Sequence, residues 1–239
     1  MVMPKHITVP AYTTFEHAGA FDASRVERAD DEAYLRSTFP AVDARLSRPG
    51  VRTWAPSTSD VFAITLNNEL TLPGFLVYWD EPAGTPLSST PAQKMAYTPA
   101  ASHLSDGKAE MVREVHALLR TEKGLQSYPG ILQGGMVTAL MDEVTGLSTV
   151  VNRIRGVEGF REHLFMTASV AVKFAKPVPT PATLVITARI KDVKGRLVMV
   201  EGEIRDFDKG GETGPVLARV DAVWAGIKLK DGKPMMFKM

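Results

Sequence analysis

Apolar positions follow two rhythms in the second half of the chain. From Ala109 to Thr121 they alternate, at Val112, Val115, Ala117 and Leu119, which predicts a strand. From Gly134 to about Val151 they run almost without interruption. That predicts a helix about 27 Å long, apolar on most sides and therefore buried. Gly124 to Gly130 reads as the loop between them. Alternation returns from Thr167 to Phe174, with Ala168, Val170, Val172 and Phe174 on one face and Thr167, Ser169, Ala171 and Lys173 on the other. Thr183 to Val193 and Arg196 to Phe207 flank Lys194-Gly195, a hairpin signal. Val216 to Leu229 supplies a last strand after a glycine-rich loop from Asp208 to Gly214. The connection Lys176-Pro177-Val178-Pro179-Thr180-Pro181 cannot lie inside a sheet, because proline lacks the ladder donor. The order strand, long helix, antiparallel meander predicts an α+β domain in which one sheet wraps one helix.

The first half is less regular. Asp30 to Phe39 carries a short helical pattern, and Val61 to Leu66 and Phe75 to Trp79 read as short strands or helix fragments. Ala83 to Pro99, rich in Pro, Ser and Thr, reads as a long loop. The division expected is an N-terminal extension over residues 1–107, packing on the core, and the α+β domain over residues 108–239.

Composition narrows the function. A length of 239 residues with 44% apolar content supports one large domain, or a domain with an extension. A formal net charge of +1 and the lack of a basic stripe give no reason to expect a nucleic-acid partner. Without cysteine there is no disulfide, no thiolate nucleophile and no cysteine metal site. The start, Met1 to His6, lacks the pattern of a secretory signal, and the longest apolar helix contains Asp142 and Glu143, so no membrane span is expected. The expected location is cytoplasmic.

The candidate chemistry sits where the turn Tyr128-Pro129-Gly130 leads to adjacent glycines, Gly134 and Gly135, at the start of the long helix. Amide N–H groups at a helix start have no partner within the helix and favour negative charge, and glycine leaves them open to a ligand. Asp142 follows two turns later among Met141, Val144 and Leu147. A carboxylate in such company is costly unless paired, which makes it a candidate base or nucleophile. The glycine amides and the acid are expected to serve one small volume in which a carbonyl reacts. The plainer alternatives are a loop-to-helix turn for the glycines and, for Asp142, a seam position bonded to Thr138 one turn back. His6, His17, His103, His116 and His163 have no metal-ligand spacing, and no nucleophile elbow or phosphate loop is present. No metal or cofactor is expected.

Pro129 to Asp142, followed by Thr167-Ala168-Ser169-Val170-Ala171-Val172-Lys173-Phe174-Ala175-Lys176-Pro177, resembles the hot-dog-fold acyl-CoA thioesterases of the phenylacetate-pathway type. The resemblance covers about Lys108 to Lys228, and the whole chain more weakly resembles fungal members with an N-terminal extension. It implies a hot-dog fold, an antiparallel sheet wrapped around a long central helix. It also implies a thioester substrate carried on CoA or a carrier protein, and a homodimer or dimer of dimers with the site at the dimer interface. The family motif is His-Gly-Gly with an acid nine residues after the histidine; here Gln133 stands in the histidine position and Asp142 in the acid position. By the same resemblance the helix end and the acid come from one protomer, the partner supplies a polar residue from the strand near Thr167, and Ser127 assists.

The catalytic candidates are therefore Asp142, Gly135, Gly134, Gln133 and Thr167, with Ser127, Thr138 and Glu143 as substrate contacts. Glu143 lies about 100° around the helix from Asp142 and cannot share its target, so a surface or interface charge is the alternative. Arg153, Arg155 and Arg161 read as loop charges or as contacts for a CoA phosphate. Glutamine cannot exchange a proton near neutral pH. Gln133 thus opens a second reading beside hydrolysis: a dehydratase, isomerase or cyclase in a biosynthetic pathway. A binding module without turnover is the third.

Overall fold

The computed structural model describes residues 31–54, 61–82, 109–230 and 233–234. The loop expected over Ala83 to Pro99, the reading of Met1 to His6, and His17 and His103 lie outside the described residues.

The core element is helix α3, Gly134–Ile154, laid across the inner face of an antiparallel sheet. Strands β1 (Val51–Trp54), β2 (Gly74–Asp80), β3 (Glu114–Thr121), β7 (Ala182–Lys194), β8 (Leu197–Asp206), β9 (Val216–Lys230) and β6 (His163–Phe174) pair in that spatial order. A two-residue strand β10 (Lys233–Pro234) folds back on the end of β9. A short hairpin, β4 (Gln126–Tyr128) and β5 (Ile131–Leu132), launches the helix. This is the hot-dog arrangement. Inward side chains such as Val77, Leu119, Ile186, Val200 and Val220 pack with Leu140, Val144 and Leu147 of α3 in one apolar core.

Two helices from the N-terminal half, α1 (Asp31–Thr38) and α2 (Pro40–Leu46), cover part of the outer face. Leu35, Val42 and Leu46 pack there with Leu76, Tyr78, Leu118 and Val185. Arg45, buried on α2, ties that helix to Glu212 at 2.6 Å and to Asp80 at 3.2 Å. Residues 51–54 and 74–80, from the expected N-terminal extension, are hydrogen bonded into the same sheet as the C-terminal strands.

The hairpin at Lys194 forms as expected: β7 and β8 are joined by Gly195 and Arg196, with Gly195 at φ 58°, which glycine adopts without strain. The meander forms over β7, β8 and β9 but does not include β6 as expected. β6 does not pair with β7, its successor in sequence, but lies at the far edge beside β9. The proline-rich connection carries the chain across the helix start to the middle of the sheet. On the way, Leu132 N–H donates to the Val178 carbonyl (2.8 Å) and Thr180 N–H to the Gly130 carbonyl (3.1 Å). The connection that cannot be a strand thus braces the turn that starts α3.

Two further expectations fail. α3 is not enclosed on all sides: Ala139, Asp142, Glu143 and Val150 are only half-buried, along one stripe facing away from the sheet. Strict alternation along β6 also breaks. The register shifts between Thr167 and Ser169, so Ala168 is an extra residue and Thr167 pairs with Trp224. Trp224 faces α3, as do Ala222, Val220 and Ala218, the partners of Val170, Val172 and Phe174. The bulge therefore turns Thr167 onto the helix side.

The far end of α3 is anchored by polar contacts. Asn152 accepts from Val112 N–H and donates to the Val112 carbonyl, both at 2.8 Å. Arg155, 5% exposed, bonds the Glu81 carboxylate and the Glu110 carbonyl. It is not available to a phosphate, and exposed Arg161 pairs with its neighbour Glu162. Midway, Gly146 lets Trp224 approach: a Cβ there would lie 2.5 Å from the indole ring. The indole N–H donates to Thr145 Oγ1 at 3.2 Å.

Candidate functional site

The candidate residues fall into two groups along α3. The first lies at the helix start. Gln133 is the N-cap, in extended conformation, and its side-chain oxygen accepts from Met136 N–H at 2.7 Å. Glutamine is an uncommon cap, being longer than the favoured Ser, Thr, Asp or Asn. Its side chain fits because Gly135 has no Cβ, which would stand 2.9 Å from Gln133 Oε1. The donor also fixes the amide: with Oε1 on Met136 N–H, the two Nε2 donors have no hydrogen-bond partner among the described residues.

The cap satisfies the third amide of the helix, and Val137 N–H donates to the Gln133 carbonyl at 3.0 Å. Among the described residues, the N–H groups of Gly134 and Gly135 have no acceptor. They are exposed and point off the positive end of the helix. Ser127 lies exposed in β4, on the hairpin folded against this end by the bond from Gln133 N–H to the Leu125 carbonyl (2.9 Å). Phe174, which sequence reasoning passed over as a strand residue, stands here too. It is 54% exposed, and its Cζ is 3.7 Å from where a Cβ on Gly134 would be. Its signal in the sequence was a large apolar residue at the very end of an edge strand.

The second group lies two turns further on. Asp142 is half-buried, and Thr167 Oγ1 donates to its Oδ1 at 3.0 Å. Burial raises the Asp142 pKa above the ordinary carboxylate value, and the Thr167 hydrogen bond partly opposes that shift. Thr138 does not bond Asp142; its hydroxyl donates to the Gly134 carbonyl at 3.1 Å. Thr167 reaches Asp142 within one chain, which corrects the expectation that it serves only a partner's acid.

A second correction follows from helix geometry. Seven residues separate Gly135 from Asp142, about 10 Å along the axis at 1.5 Å per residue. The free N–H groups point forward off the helix, while the carboxyl lies behind them on its flank. An oxygen held by those amides is therefore out of reach of the acid on the same chain, and the two groups do not serve one volume within a protomer.

Glu143 has no ion-pair or hydrogen-bond partner among the described residues, and its pKa is pushed up to about 7, by burial first and then by the charge of Asp142. Because the folded value lies above the ordinary 4.5, stability is expected to be full below about pH 4.5 and to fall as pH rises through 7. Glu143→Gln should remove that loss. Urea unfolding should find the variant more stable by roughly 2 kcal/mol near pH 8, reduced by solvent screening, and no different near pH 4. An equal offset at both pH values would contradict the assigned environment.

Residues 129–212 match the sequence model of the thioesterase superfamily. The mouse acyl-coenzyme A thioesterase THEM4 is 26% identical over 85 residues, covering 36% of this chain and 33% of the mouse protein. The rat protein of the same name matches equally. The chain thus spans about a third of these curated relatives. Verlamelin biosynthesis protein B of Lecanicillium sp is 25% identical over 172 residues, covering 63% of this chain and 67% of that protein. Among solved structures, a thioesterase superfamily protein from Shewanella loihica PV-4 aligns with a TM-score of 0.38 at 21% identity, over 49% of this chain and 85% of that one. The matched segment contains Gln133, the glycine amides, Asp142, Thr167 and Phe174, whereas Ser127 lies just before it.

Among the described residues no helix is long and apolar enough to cross a membrane. No cluster of metal-ligating side chains occurs among them either.

Proposed function

We propose that this protein hydrolyses acyl thioesters, on CoA or a carrier protein, at a site built by two copies of the chain. The observation that carries this reading is the pair of unmet amide N–H groups at the start of α3, within the segment that matches the model of the thioesterase superfamily. They fit a thioester carbonyl oxygen and the negative charge it gains on attack. Asp142 of the partner subunit, oriented by the partner's Thr167, takes a proton from water. The water oxygen bonds the carbonyl carbon, the C–S bond breaks, and the leaving thiolate receives the proton. A carboxylic acid and a free thiol result. Phe174 offers the acyl group an apolar surface, and Gln133 Nε2 supplies a further donor at the amide end.

The dimer is supported by the edge of β6, a twelve-residue strand paired only on its β9 side among the described residues. Such an edge is a template for another strand. Antiparallel pairing of two β6 strands about a two-fold axis at Ala171 sets Val170 beside Val172 of the partner subunit. The bulge residue Ala168 then lets Thr167 stand opposite the partner's Phe174 with both side chains on the helix side. The acid group of one chain thereby meets the amide group of the other.

The non-hydrolytic alternative rested on Gln133. In the structure that residue caps the helix, a positional role that a proton-exchanging histidine is not needed for. The verlamelin biosynthesis relative keeps a biosynthetic setting open for either chemistry. Incubation with a panel of acyl-CoA and acyl-carrier thioesters, followed by thiol titration and mass spectrometry, separates them. Free thiol and free acid are expected in equal amounts; a product at unchanged oxidation state without thiol would overturn hydrolysis.

A further inference from the structure

We infer that Trp224 is a positioning residue for Asp142, fixing the place at which Thr167 holds the acid. The contacts close into a ring. Thr167 Oγ1 donates to Asp142 Oδ1 at 3.0 Å, and Thr167 stands opposite Trp224 in the pairing of β6 with β9. The Trp224 indole N–H donates to Thr145 Oγ1 at 3.2 Å. The Thr145 hydroxyl donates in turn to the Asp142 carbonyl at 2.9 Å. Asp142 is thus gripped twice, at its side chain from the sheet and at its backbone from the next helical turn, and Trp224 links the two grips.

Trp224 is only 8% exposed, so its N–H needs a partner inside the protein, and buried Thr145 supplies it. Gly146 leaves no side chain between α3 and the indole; a Cβ there would lie 2.5 Å from the ring. The distance between α3 and β9 is therefore set by the ring itself. Among the described residues β6 pairs with β9 and with no other strand, so the spacing of Thr167 from α3 follows from the same contact. The extra residue Ala168 then turns Thr167 to the side of the sheet where the acid lies.

The inference rests on Asp142 acting as the base of the proposed hydrolysis. Trp224→Phe removes the N–H and part of the ring. On acyl-CoA it is expected to lower kcat roughly ten- to a hundred-fold, the cost of misplacing a catalytic group by about 1 Å, with KM little changed. Thr145→Val should repeat the loss, and Thr145→Ser, which keeps the hydroxyl, should reverse it. In a Thr167→Val background Trp224→Phe should cost nothing further, because both act through one hydrogen bond. A core tryptophan with no part in placing the acid would lower the unfolding midpoint and leave the kcat of the folded protein alone. Wild-type kcat in folded Trp224→Phe, or losses that multiply in the double variant, would overturn the inference. Gly146→Ala, which pushes the indole away from α3, takes the place of Trp224→Phe if that variant does not fold. If the wild type turns over no thioester, the hydrolytic reading fails and crystal structures of wild type and variant decide the positioning. A Thr167 hydroxyl out of hydrogen-bond reach of Asp142 in the variant supports it, and an unchanged bond overturns it.

Discussion

Asp142→Asn is expected to lower kcat on acyl-CoA by between about a hundred-fold and ten-thousand-fold, the range for loss of a positioned general base. Asparagine keeps the shape and can still hold the Thr167 hydroxyl, so the fold and substrate binding are expected to survive. KM should change little, because the loss is confined to the transition state. The pH profile follows from the environment: Asp142 acts as a base only when ionised, and burial raises its pKa. Activity should therefore fall as pH drops through that raised value, at a higher pH than an exposed aspartate would give. The measurement is steady-state kinetics across pH with unfolding curves for both proteins. Wild-type turnover by a folded variant would remove Asp142 from the chemistry.

Gly134→Pro is the counterpart at the other end of the helix. Proline lacks the N–H and is well tolerated at the first helical position, where no intrahelical bond is lost. The preceding residue, Gln133, is already extended at φ −63° and ψ 132°, as a residue before proline must be. The substitution thus deletes one proposed donor to the oxyanion while leaving α3 in place. A single such donor is worth roughly a hundred- to thousand-fold in kcat. Gly135 is the worse place to test this, since any side chain there collides with the Gln133 cap. Unchanged kcat in a folded Gly134→Pro variant would mean that the carbonyl is held elsewhere.

Much of the architecture was legible from periodicity. α3 begins at Gly134 as read and extends only three residues beyond Val151, and the turn after Lys194 follows its glycine. The strand boundaries shift by a few residues because end residues are recruited by pairing, not by their own pattern. Where β6 lies was not legible: periodicity reports which residues face a core, not which strand stands beside which. The bulge at Ala168 was hidden for a related reason. One extra residue inverts parity downstream, and nothing local marks an alanine as that residue. The role of Gln133 was obscured because caps are sought among short polar residues, whereas here Gly135 makes room for a longer one. The separation of the glycine amides from Asp142 was missed, although helical rise alone keeps an acid two turns away from the amides at the helix start.

In the proposed dimer the amides and the acid of one working site belong to different chains. Mixing Asp142→Asn with Gly134→Pro, after reversible dissociation or by co-expression, tests it most directly. A mixed dimer holds one site in which intact amides meet an intact acid, and another in which both are defective. With random pairing the mixture should recover roughly a quarter of wild-type activity, far above either variant alone. If amides and acid acted within one chain, every site would carry a defect and mixing would restore nothing.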